Sequence, residues 1–158
     1  MVDELICYLV TILFTIVLWR VVSGLRYTEA AVLFLSLIFV FTGELLNLFI
    51  YRAAAYSGTE GIPLYILFGG ALIAWGLFIV PSKLAPRGIF AQIAIFFSLT
   101  VAFPLIETAG VQSGLWYWLK PYNPISIYWI FGVWKFYVIF VGLPPLSVLI
   151  LRNYLSKR

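Results

Sequence analysis

Two carboxylates, Glu44 and Glu107, stand inside long apolar runs, the first in LSLIFVFTGELLNLFIY (35–51) and the second ending IAIFFSLTVAFPLIE (93–107). A carboxylate at the centre of a membrane helix costs roughly 2.5–3.5 kcal/mol on insertion scales, so such groups face a bundle interior, find partners and mark functional routes. Glu44, Asn47 and Tyr51 fall at i, i+3 and i+7, which is one face of a helix. Two acids at the end of an aromatic-lined hollow suit one chemistry in particular. A carboxyl group in its neutral form, which apolar surroundings favour, can protonate a carbon–carbon double bond. Trp and Tyr faces then shield the resulting cation. Glu44 and Glu107 are therefore the candidate catalytic acids. Asn47, Tyr51, Trp116, Tyr117 and Lys135 are the candidate substrate-binding groups.

Other chemistries lack their parts. The chain has no His, which excludes a His base, a Ser–His or Cys–His nucleophile and a His-ligated metal or haem. No GxxxxGK[ST] phosphate loop occurs, and no DxxxD pair suited to a magnesium diphosphate. Neither a metal nor another cofactor is expected. The lone Cys7 cannot form an intrachain disulfide.

The elements that must hold these groups are membrane helices. Of the 158 residues 64% are hydrophobic and only 10% charged, against about 25% in an ordinary soluble domain. Apolar runs are continuous rather than alternating, which favours helices over a barrel. Each span needs roughly 20 apolar residues, and five can be drawn, at 5–22, 30–51, 62–80, 89–106 and 129–151. The acidic start MVDEL lacks the basic region of a signal peptide, so the first span is expected to be retained. Arg20, Arg26, Lys83, Arg87, Arg152, Lys157 and Arg158 share one side, against Arg52, Lys120 and Lys135 on the other. The positive-inside rule then places the N-terminus out and the C-terminus in, and accounts for the +4 charge without a nucleic-acid partner.

The expectation is an all-α integral membrane bundle of five transmembrane helices, one domain, in the cell membrane. Its connection at 108–124, TAGVQSGLWYWLKPYNP, is an outer aromatic loop or re-entrant lid. Gly69, Gly70, Ala71 and Ala74 form a small-residue stripe for close helix approach. Pro144–Pro145 should kink or unwind the fifth span. Glu44, Asn47, Tyr51, Glu107, Trp116, Tyr117 and Lys135 all fall at one depth, near the outer leaflet. Lys135 is expected to pair with Glu107 or Glu44.

GELLN in the second span, followed by IETAGVQSGLWYW after the fourth, resembles the E…G…G-x-W/Y pattern of small carotenoid-biosynthesis membrane proteins. These are the carotenoid hydratase type and the small lycopene cyclases. The resemblance spans about a third of the chain and implicates Glu44, Glu107, Gly110, Gly114, Trp116 and Tyr117. It implies acid-catalysed hydration or cyclisation at a polyene end. Where the cyclases carry Pro-x-Glu-Glu, this chain reads GLPPLSVL, without an acid. WYWLKP and FGVWKFY are similar to segments of the tryptophan-rich translocator family, a likeness of aromatic-belt composition.

The expected function is the handling of a long apolar polyene or isoprenoid in an outer-leaflet cavity, with lipid around it. The competing expectation is a non-catalytic accessory subunit that packs against a membrane-protein partner and holds lipid or pigment.

Overall fold

A computed structural model of the chain describes residues 26–46, 54–56, 62–86, 88–118 and 127–155. Helices account for nearly all of them: α1 (Tyr27–Leu45), α2 (Leu64–Leu84), α3 (Ile89–Thr100), α4 (Phe103–Gln112), α5 (Ile127–Tyr137) and α6 (Leu143–Leu155). A π-helical turn, Val138–Gly142, joins the last two. One short antiparallel pair, β1 (Ala54–Tyr56) on β2 (Trp116–Trp118), ties two connections together, with Ala55 opposite Tyr117.

Four stretches among the described residues are long and apolar enough to cross a membrane: Tyr27–Leu45, Leu64–Leu84, Ile89–Gln112 and Ile130–Leu155. They correspond to the second to fifth expected spans. The first, 5–22, lies outside the described residues, so four such helices are described rather than five. Phe34, Ile38 and Phe41 of α1 lie open on the surface, an apolar face that suits hydrocarbon better than water.

Prolines decide where the helices break. Pro104 lacks the N–H that would bond the Thr100 carbonyl, and the expected fourth span divides at Val101–Ala102 into α3 and α4. The Thr100 hydroxyl bonds the Phe97 carbonyl at 2.7 Å and accepts the Trp134 indole N–H at 2.9 Å, so the break is clasped to α5. The fourth span also runs past its expected end, because Thr108–Gln112, assigned from sequence to the outer loop, is helical. At Pro144–Pro145 the structure corrects the expected interruption. The irregularity lies before the prolines, in the π turn, and α6 carries both in its first turn, where missing N–H groups are tolerated. The Phe140 carbonyl can receive neither an α-type donor, which Pro144 would supply, nor a π-type donor from Pro145.

The core gathers Val32 and Val40 of α1, Leu77 and Phe78 of α2, Phe96 of α3, Phe103 of α4 and Leu149 of α6. Small residues set how closely the helices approach. A Cβ at Gly70 would lie 2.8 Å from a Val40 methyl, and one at Gly43 would lie 2.6 Å from the Phe140 ring. At the far end of the bundle the buried Gln92 donates to the Ala85 carbonyl at 2.7 Å and accepts from Asn153 at 2.8 Å, closing α3 onto α6. The Arg152 guanidinium sits 5.3 Å from the Phe78 ring centroid.

Gly70→Ala should cost about 1–3 kcal/mol by overpacking the α1–α2 seam. Gly76→Ala, whose added Cβ meets nothing within 4 Å, should be neutral or slightly stabilising. Thermal unfolding in detergent compares the two, and equal midpoints would refute this packing.

Candidate functional site

Glu107 is the centre. It lies on α4, one turn after Pro104, and is 6% exposed. Each of its oxygens accepts a hydrogen bond: Oε1 from the Trp116 indole N–H at 2.8 Å, Oε2 from the Tyr137 hydroxyl at 2.7 Å. Tyr137 is held in turn by its ring, which stacks on Phe103 with centroids 5.0 Å apart. Two donors aimed at a buried carboxyl group meet the rule that an intramembrane ionisable residue must find partners.

Trp116 reaches Glu107 because the chain reverses tightly after α4. Leu115 N donates to Gly110 O and Gly114 N to Val111 O, both at 3.1 Å, and Gly114 has φ +72°. This is a Schellman cap, in which glycine takes the left-handed position at little steric cost. The reversal lays the indole over Gly110, where any Cβ would overlap the ring. Tyr65 of α2 donates to the Leu115 carbonyl at 3.1 Å and fixes the turn from the other side. The spacing Glu107, Gly110, Gly114, Trp116 is thus one local device: acid, clearance, reversal, donor.

Glu44 is half-buried near the end of α1. Its neighbour Gly43 packs on Phe140, one turn after Tyr137. Tyr117 is half exposed on β2. Asn47 and Tyr51 lie outside the described residues, as does Lys120. The expected pairing of Lys135 is corrected. Lys135 is exposed on α5 and forms no ion pair with Glu107 or Glu44 among the described residues. Two neutral donors, Trp116 and Tyr137, hold Glu107 where an ammonium was expected. Sequence reasoning missed Tyr137, which lies 30 residues away in the fifth span among several aromatic residues. Its one available signal was that it precedes the π turn imposed by Pro144–Pro145. Tyr65 carried no comparable signal.

An open apolar cleft of about 400 Å³ lies in the seam between the α3–α4 break and α5, lined by Val101, Pro104, Ile127, Ile130, Phe131 and Trp134. Two of its lining residues stand one turn from members of the carboxyl centre. Pro104 precedes Glu107 on α4 by one turn, and Trp134 precedes Tyr137 on α5 by one turn. Among the described residues no group of three His, Cys, Asp or Glu side chains is placed to hold a metal. Glu107 itself is not among the described residues that line the cleft.

No family model, curated protein or solved structure matches this chain.

Gly110→Ala should drive the Trp116 indole off Glu107 and leave a buried acceptor without its donor, at a cost of about 1–3 kcal/mol. Trp116 is then expected to become accessible to a water-soluble fluorescence quencher, measured in a variant that keeps Trp116 as its only tryptophan. Unchanged quenching in Gly110→Ala would show that the indole does not rest there.

Proposed function

We propose that this chain is an integral protein of the cell membrane with five spans, N-terminus out and C-terminus in. In this reading it holds one end of a long apolar polyene or isoprenoid near the outer leaflet and protonates it from Glu107. The observation that carries the proposal is a carboxyl group 6% exposed, gripped on both oxygens, one turn from the wall of an apolar cleft. The seven-to-three split of basic residues supports the orientation, and the four apolar helices support the membrane setting. The likeness of GELLN and IETAGVQSGLWYW to the carotenoid hydratase and small lycopene cyclase pattern supports the substrate class.

The chemistry follows from the groups present. Transfer of a proton from the neutral carboxyl group to a double bond leaves a carbocation and a carboxylate. Trp134 lines the cleft, and its aromatic face can shield that cation. Water adds to the cation in hydration, or a neighbouring double bond closes a ring. A proton is lost at that stage and restores the acid. Glu44, the second carboxyl group read from the sequence, is the candidate partner in that return.

Lys135 favours a second reading. Its ammonium is exposed on an apolar helix face between Phe131 and Ile139, each one turn away and each exposed. A neighbouring membrane protein carrying an acid would satisfy it, and the chain would then act as an accessory subunit that packs helices and holds lipid or pigment.

Membranes containing the protein, supplied with an acyclic polyene, should yield hydrated or cyclised product. Glu107→Gln should lower that yield by about 100-fold or more, the usual contribution of a general acid. Glu44→Gln should lower it as well, with protein amount and assembly unchanged. Unaltered product in Glu107→Gln would defeat the acid reading. Loss of a co-purifying protein in Lys135→Ala, with no product to lose, would support the subunit.

A further inference from the structure

We infer that Tyr137 is the proton-positioning residue of the Glu107 carboxyl group, placing its proton on Oε2, the oxygen turned towards α5. The inference rests on the reading of Glu107 as an acid and adds where the proton resides. It comes from the unlike chemistry of the two donors. An indole N–H can only donate, whereas a phenol can donate or accept. The Trp116 contact at 2.8 Å therefore keeps its sense whatever the state of Glu107, and a proton placed on Oε1 towards it would oppose the N–H. The Tyr137 contact at 2.7 Å is reversible. When Glu107 is ionised the hydroxyl donates to Oε2. When Glu107 is neutral, Oε2–H donates and the phenolic oxygen accepts.

The reversal needs only a rotation of the hydroxyl hydrogen. The ring stays stacked on Phe103, and no heavy atom has to move. Oε1 is the carbonyl oxygen of the neutral group, held by an indole that Gly110 admits and the Schellman turn delivers. The proton is thereby kept on the side of α5, the helix whose Ile130, Phe131 and Trp134 form one wall of the apolar cleft. The other ionisable side chains described on the elements packed against α4 are Tyr117 of β2 and the exposed Lys135 of α5, while Tyr65 of α2 bonds to Leu115.

Infrared spectroscopy of the full chain in lipid nanodiscs, with carboxyl-labelled glutamate, tests this at neutral and acid pH. The sequence has only six Asp and Glu residues, so the Glu107 band can be assigned by its loss in Glu107→Gln. Trp116→Phe should raise the C=O stretch of neutral Glu107, because the carbonyl oxygen loses its donor. Tyr137→Phe should leave that stretch close to wild type and shift the C–O–H band instead. The opposite pattern would overturn the inference. Absence of any neutral Glu107 band at acid pH would overturn the acid reading along with it, a result distinct from a reversed pattern. If Trp116→Phe does not fold, ring-labelled tyrosine in the unmutated protein gives a second answer. Its C–O vibration, assigned with Tyr137→Phe, should change from donor to acceptor character on acidification, and an unchanged band would refute the assignment.

Discussion

A carboxyl group in a carbon interior has to be held, and the way Glu107 is held organises the rest of this molecule. Its two oxygens take donors from two different elements, Trp116 of β2 nine residues later and Tyr137 of α5 thirty residues later. The first bond closes a local turn. The second joins α4 to α5. Removing either donor would take one charge-capable hydrogen bond from a buried carboxyl group, at a cost of about 1–3 kcal/mol. Both bonds therefore serve folding as well as any chemistry, and the site cannot be separated from the scaffold that carries it.

Backbone irregularities make that geometry available. Pro104 ends α3 and restarts the chain as α4, opening the seam in which the apolar cleft lies. The left-handed Gly114 turns the chain back, and the bare Cα of Gly110 gives the indole room. Directly after Tyr137 the π turn prepares the helix for Pro144 and Pro145. Breaks in helical hydrogen bonding are tolerated in membrane bundles where other groups re-satisfy the backbone. Here the break at Thr100 has its own clasp, with the hydroxyl bonded to Phe97 and capped by Trp134. At the opposite end the Gln92–Asn153 contact fixes α3 against α6, so the irregular half of the bundle is built on a regular one.

Much of the fold was legible in the sequence, and the reasons are particular. Continuous apolar runs announced the helices, since only helices satisfy their own backbone in lipid. Gly70, read as part of a packing stripe, does meet Val40. The pattern from Glu107 to Trp116 was visible as a motif, but its physical meaning was not: Gly110 and Gly114 fell in the expected outer loop, whereas the first makes space for the indole and the second ends a helix. Charge reasoning misassigned the partner of Glu107. Opposite charges at one predicted depth suggested Lys135, yet depth along a helix says nothing of which face a residue occupies. Lys135 faces outward, and Tyr137, two positions on, faces Glu107. Long-range neutral donors such as Tyr137 and Tyr65 leave no periodic trace in sequence, which is why the second half of the site had to come from the structure.

Glu107 is buried and bonded directly to the Trp116 indole. Solid-state NMR on the protein in lipid, with indole-15N tryptophan and carboxyl-13C glutamate, reads that contact as a dipolar coupling between the two labels. A coupling of hydrogen-bond strength that disappears in Glu107→Gln, where the labelled carboxylate is absent, is the predicted result. No coupling in the unmutated chain, with the Trp116 N–H exchanging freely with water, would contradict the account.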